Sequence, residues 1–121
     1  MILTIIKNKT WVLFFVAILG LATSKPNKQY TTVEFIAKGC CGQCKDRIEN
    51  ALDKKGIRFA EWDKNTRLVR ITFKSDMYDL PALHSIIAEA GHDTEVMTAP
   101  DSVYNTLPQC CKYRGGGKCT H

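Results

Sequence analysis

The chain has 121 residues, a length that suits one domain, with 17 basic and 12 acidic side chains. Two of the basic residues fall within the first 24, so residues 25–121 carry 15 against 12 acids, a net charge of +3 with no run of five or six like charges. That balance is too mild for a charge-built nucleic-acid surface and reads as an ordinary solvated exterior. No phosphate-binding glycine loop, dinucleotide fingerprint or serine–histidine–acid set stands in the sequence. Six cysteines, all after residue 24, are many for a chain whose core must be thin.

Residues 1–24 hold no acid. Lys7 and Lys9 precede the apolar run from Trp11 to Ala22, which ends in the small residues Ala22, Thr23 and Ser24. A bilayer-spanning helix needs roughly 20 apolar residues, so a run of 12 is short for an anchor. The pattern is that of a secretory signal peptide, with a short uncleaved anchor as the alternative. The expectation is an exported protein, periplasmic or secreted, with no stable membrane anchor after cleavage. Residues 25–29 form a polar leader.

From Tyr30 the sequence alternates. Val33, Phe35 and Ala37 share one face and Thr32, Glu34 and Lys38 the other, which predicts a half-buried strand. A helix fits Gln43 to Lys54, with Cys44, Ile48, Ala51 and Leu52 on its apolar side and Gly56 stopping it. Ile57 to Trp62 reads as a second strand with imperfect alternation and room for a bulge. Asp63 to Thr66 has turn chemistry. Arg67 to Lys74 is the clearest strand, with Val69, Ile71 and Phe73 pointing one way. A second helix starts at an Asp79 cap, carries Pro81 in its first turn and the stripe Leu80, Leu83, Ile87 and Ala90, and ends at Gly91. His84 lies between stripe positions and reads as a surface or boundary residue. Thr94 to Met97 predicts a fourth strand.

This order is β-α-β-β-α-β over residues 30–98. It predicts an α+β, ferredoxin-like sandwich: a four-stranded antiparallel sheet with two helices on one face and the other face open. Residues 99–121 form a cysteine-containing tail. Asp101 caps a short helix through Leu107, Pro108 ends it, and the glycines 115–117 lead into a final segment that reads as disordered. Trp62, Phe59, Phe73 and Tyr78 read as core and boundary packing.

The cysteines cluster. Cys40, Cys41 and Cys44 lie within five residues, Cys110 and Cys111 are adjacent, and Cys119 is near the end. Disulfide frameworks spread their cysteines, whereas close clusters suit metal or redox chemistry. Cys41-Gly-Gln-Cys44 is a C-x-x-C at a strand-to-helix junction. Two intervening residues let both sulfurs converge on one atom, and the helix start beside them favours thiolate, the form that binds metal.

On Gly39-Cys-Cys-Gly-Gln-Cys-Lys-Asp-Arg-Ile-Glu49, Gly56-Ile57 and Ala90-Gly91-His92, the segment 30–98 resembles the heavy-metal-associated domain family. That family includes copper chaperones, metal-binding domains of copper ATPases and periplasmic mercuric-ion-binding proteins. The resemblance implies a ferredoxin-like fold, a soft metal held by Cys41 and Cys44, and handover to a partner by ligand exchange. The usual family motif is G-M-T-C-x-x-C. Here Gly39 and Cys40 stand at the methionine and threonine positions, which removes a side chain from under the loop and adds Cys40 as an auxiliary ligand candidate. His92 stands where relatives place a lysine or an aromatic residue, beside the loop; it is a second auxiliary candidate, against the plain reading of a helix-ending histidine. Cys110 and Cys111 are further candidates, as ligands or disulfide partners, and Cys119 and His121 form a weaker pair in the tail.

Two thiolates suit soft ions of low coordination. Cu(I) follows from thiolate softness, Hg(II) from the resemblance, and Zn(II) would need two more donors. The expected role is a non-enzymatic metallochaperone or scavenger whose partner is a membrane metal transporter or another metal-binding domain. Two rivals stand beside it. Cys-Gly-Gln-Cys-Lys would also serve thiol–disulfide exchange, although no proline follows the first cysteine and the element order is too short for a thioredoxin fold. The other is a structural domain with every cysteine in a disulfide.

Overall fold

Alternating apolar positions build the centre of the molecule. In the computed structural model, which describes residues 29–116, β1 (Tyr30–Ile36), β2 (Ile57–Trp62) and β3 (Leu68–Lys74) form an antiparallel sheet in the order β1-β3-β2. The predicted signal segment, nearly all of the polar leader, Cys119 and His121 lie outside the described residues. No described helix is long and apolar enough to cross a membrane.

β3 takes the middle place because Val69, Ile71 and Phe73 are all buried and can be flanked on both sides. The register sets Phe35 opposite Val69 and Val33 opposite Ile71 on one side, and Trp62 opposite Val69 and Ala60 opposite Ile71 on the other. All these residues therefore share the inner face. The irregularity expected in β2 is a register shift between Ile57 and Phe59. It sets Phe59 opposite Thr72, where it is 43% exposed, so of the aromatic residues read as packing, Phe59 belongs to the open face. That face also carries Tyr30, Ile36 and Leu68, beside a Thr32–Thr72 hydroxyl pair and an exposed Arg70–Glu34 ion pair.

Two helices cover the inner face. α1 (Gly42–Ala51) brings in Cys44 and Ile48, with Leu52 just beyond its end, and α2 (Leu80–Glu89) brings in Leu83 and Ile87. These side chains join Phe35, Trp62, Val69, Ile71 and Phe73 in one buried cluster. Full burial of each such aliphatic side chain stabilises the fold by about 1.5–3 kcal/mol. Asp79 caps α2 as expected, its Oδ1 accepting the Ala82 N–H at 2.9 Å. The buried arc of α2 is wider than the predicted stripe. Leu80 is exposed, while His84 is only 2% exposed, stacked on Phe35 at 3.8 Å with its Nδ1 2.6 Å from Thr94 Oγ1. The surface reading of His84 is thereby corrected. α2 is covered on a second side by the chain that follows it, which a helical stripe does not reveal.

The four-stranded expectation is also corrected: among the described residues the sheet has three strands. Thr94 makes one bridge to Ala37, and the chain then turns back on itself. Thr94 N–H donates to the Met97 carbonyl at 2.8 Å, and Met97 N–H donates to Thr94 Oγ1 at 3.1 Å. The Glu95 carboxylate accepts the Ile36 N–H at 3.3 Å, the donor on the edge of β1 that a neighbouring strand would need. Val96, 70% exposed, has no core to enter.

Past this turn, α3 (Asp101–Tyr104) is shorter than the predicted helix, continuing as turns to Leu107. Pro108 follows, then a 3₁₀ turn at Gln109–Cys111. Tyr104, Leu107 and Cys111 enter the same buried cluster as the sheet and helices. Gly91 marks the contact point. Its φ of +103° suits glycine, and a Cβ there would meet Leu107 at 2.9 Å.

Candidate metal centre

The loop between β1 and α1 is shaped by what lies beneath it. A Cβ on Gly39 would come within 3.0 Å of both Cys44 Cβ and the Trp62 ring. The indole of Trp62, 1% exposed with its Nε1–H donating to the Ala37 carbonyl at 2.9 Å, fills the space under the loop. Glu49 fixes α1 to the end of β2 by accepting the Trp62 N–H at 3.0 Å and pairing with Lys45, which also donates to the Trp62 carbonyl.

On this base the C-x-x-C closes up. Cys41 is the extended residue that opens α1, and its Sγ lies 3.4 Å from Cys44 Sγ. The Cys40 N–H points at Cys44 Sγ at 3.4 Å. The third member comes from the tail: Cys111 Sγ lies 3.6 Å from Cys41 Sγ. Cys41, Cys44 and Cys111 are all buried, with all three sulfurs within 4.8 Å of one another.

The auxiliary candidates part company here. Cys111 joins the pair, while its neighbour Cys110 is half-buried and donates its S–H to Gln43 Oε1 at 3.0 Å. Cys110 and Cys41 line a shallow groove with Gly42, Gln43, Lys45 and Lys64 that opens the site to solvent. Cys40 is disulfide-bonded, its sulfur 3.2 Å from the Cys110 carbonyl, and so is not among the free thiols. His92 is buried outside the three-sulfur group. The Lys38 carbonyl lies 2.8 Å from its Nδ1 and can only accept, so the proton sits there, and Nε2 has no hydrogen-bond partner.

The three thiols differ in acidity. Burial alone would raise Cys41, but the Cys44 N–H and the neighbouring thiols outweigh it and bring Cys41 below the ordinary cysteine value. Burial raises Cys44, offset only in part by the Cys40 N–H. Cys111 is pushed far up, by burial first and then by Cys44 and Cys41 beside it. Thiolate therefore forms first at Cys41, the member at the groove. Burial lowers the pKa of His92 and keeps it neutral.

A set of contacts with no local sequence signature holds the tail in place. Arg114 grips the Asp93 carboxylate with two bonds, at 2.7 and 3.2 Å, and reaches the Ala99 carbonyl and Asp101, each at 2.8 Å. Its guanidinium lies 4.1 Å from the Tyr104 ring centre. Tyr113 donates to the Gly91 carbonyl at 2.8 Å, accepts the Asp93 N–H at 2.7 Å and stacks on His92. Burial raises the Tyr113 pKa to about 12, so the hydroxyl keeps its proton and goes on donating.

Fold and site together define a small α+β domain that gathers thiols at a strand-to-helix turn. Residues 35–93 match the family model described as heavy-metal-associated domain. Among solved structures the chain is similar to a CopZ metallochaperone, with a TM-score of 0.51 and 21% identity over 53% of this chain and 98% of that one. Oxidized MerP from Ralstonia metallidurans CH34 gives a TM-score of 0.51 and 24% identity over 55% and 94%. The N-terminal domain of a potential copper-translocating P-type ATPase from Bacillus subtilis, in its Cu(I)-loaded state, gives 0.51 and 22% over 54% and 84%. At these identities the likeness shows the ferredoxin-like fold. No curated protein sequence matches the chain.

Proposed function

We propose that the protein is an exported, non-catalytic soft-metal carrier or scavenger that holds Cu(I) or Hg(II) between Cys41 and Cys44 and passes it to a membrane transporter or another metal-binding domain. One observation carries the reading: buried free thiols of Cys41 and Cys44 converge within 3.4 Å at the start of α1, with a third thiol beside them. Soft sulfur donors select soft ions, and the acidified Cys41 at the groove offers the first thiolate to an arriving ion. Zn(II) is the weaker fit, because a tetrahedral ion needs a fourth donor beyond the three sulfurs.

A second reading, thiol–disulfide exchange, draws on the same contrast between an acidified Cys41 and a raised Cys44. Cys111 stands against it, since a third thiol at 3.6 Å would compete for the Cys41 sulfur in every cycle. Native mass spectrometry of the reduced chain offered Cu(I), Hg(II) and Zn(II) together separates the readings. One retained soft ion, lost in Cys41→Ser and Cys44→Ser, supports the carrier. No retained ion, with a readily cycled disulfide between these residues, supports exchange.

A further inference from the structure

The C-x-x-C supplies two sulfurs, and the folded tail supplies one more. We infer that Cys41, Cys44 and Cys111 bind their ion together as a three-thiolate site, and that the tail makes this protein retain its cargo in preference to passing it on freely. The inference rests on the soft-metal reading above and specifies its coordination.

Geometry favours three sulfurs. With a metal–sulfur bond of about 2.3 Å, a linear two-sulfur ion holds its donors about 4.6 Å apart, and a planar three-sulfur ion about 4.0 Å apart. The sulfur separations of 3.4 and 3.6 Å need the smaller opening to reach the second arrangement. Among the described residues no fourth donor lies within 4.8 Å of all three sulfurs: the Cys110 thiol reaches Cys41 at the groove but donates to Gln43, and His92 lies outside the group. The cargo class is thus a soft ion that accepts three thiolates.

Cys111 is also pre-placed. It is fully buried, and the residues after it are fastened through Tyr113 to Gly91 and Asp93 and through Arg114 to Asp93. A ligand that arrives ordered loses little freedom on binding, which favours a long-lived complex. Transfer then requires three exchanges. Each acceptor thiol loses its proton as it takes the ion, each departing cysteine regains one, and no electrons move.

X-ray absorption at the mercury edge tests this on the full chain, with the Cys40 disulfide intact and Cys41, Cys44 and Cys111 as free thiols, loaded with one equivalent of Hg(II). Three sulfurs around Hg(II) are expected, falling to two in Cys111→Ser and shifting toward two in Arg114→Ala, which removes no sulfur. Cys110→Ser should keep three. Release of Hg(II) to excess dithiol should quicken on the order of tenfold in Arg114→Ala, as expected when a supporting residue is lost. Two sulfurs in the unmodified chain, unchanged by Cys111→Ser, would overturn the inference while leaving the carrier reading intact. No bound Hg(II) at all would overturn both.

Discussion

The loop at residues 39–44 and the tail at residues 99–116 bring sulfurs to the same spot by different means. In the loop, Cys41 and Cys44 are held by local geometry: an extended residue, the first turn of α1, and Trp62 filling the space beneath Gly39. In the tail, Cys111 arrives from 67 positions beyond Cys44 and depends on Arg114, Tyr113 and Leu107 gripping the end of α2 and the turn after it. A local motif defines where an ion can bind. A distant segment, fastened by separate contacts, can set how many donors it meets and how readily it leaves.

Removing a loop sulfur should break the site outright. Cys41→Ser and Cys44→Ser are each expected to weaken Cu(I) or Hg(II) binding by well over the roughly 10–100-fold that loss of a supporting residue brings, read by competition with a chelator. Retained affinity in both would show that the loop does not define the site.

Loosening the tail should leave binding in place while lowering stability. Arg114→Ala removes charge-assisted bonds from a partly buried carboxylate and should lower unfolding stability by about 2 kcal/mol in denaturant. An unchanged midpoint would show that the tail is not fastened through this pair.

Proton release separates the two regions further. Cys44 and Cys111 are raised thiols and must lose protons on binding, so affinity should increase with pH. Cys111→Ser should lower the number of protons released per ion by about one, because Cys111 is a full thiol before binding. Calorimetry in buffers of different ionisation enthalpy counts them, and an unchanged count would place Cys111 outside the site.

The smallest effect is the response to acid. Burial would raise Asp93, but the bonds from Arg114 and the Ala99 N–H outweigh it and leave its pKa below the usual carboxylate value. The folded state thus binds the proton less readily than the unfolded one. Stability from this group is fully present above the unfolded value of about 3.9 and fades as pH falls through the lowered folded value. Asp93→Asn should flatten that part of the stability curve, and an identical acid profile in both forms would remove Asp93 from the account.

What could be read from the sequence follows the same division. β3, the Asp79 cap and the C-x-x-C at a strand-to-helix turn are written in local periodicity and spacing and stand where they were expected, while α1 ends at Ala51, three residues short of the expected Lys54. The expected fourth strand over Thr94 to Met97 does not form because the Thr94 hydroxyl closes a turn and Glu95 occupies the edge of β1, details the short segment does not spell out. Cys110 and Cys111 look equivalent as neighbours, yet on a 3₁₀ turn successive side chains point about 120° apart: Cys111 is buried against both loop thiols, while Cys110 stays at the groove beside Cys41 and bonds Gln43. The Arg114–Asp93 pair spans 21 positions with no periodic signal. The one available hint was the presence of two aromatic residues and an arginine, Tyr104, Tyr113 and Arg114, around the paired cysteines in a short tail.

The most direct test of the three-sulfur centre is a residue-resolved count of thiols shielded by one ion. The chain with its Cys40 disulfide intact, with and without one equivalent of Hg(II), would be alkylated over a time course and mapped by mass spectrometry. The account predicts that Hg(II) slows modification of Cys41, Cys44 and Cys111 together and leaves the rate at Cys110 unchanged. Protection confined to Cys41 and Cys44, with Cys111 labelled at the same rate in both forms, would contradict it.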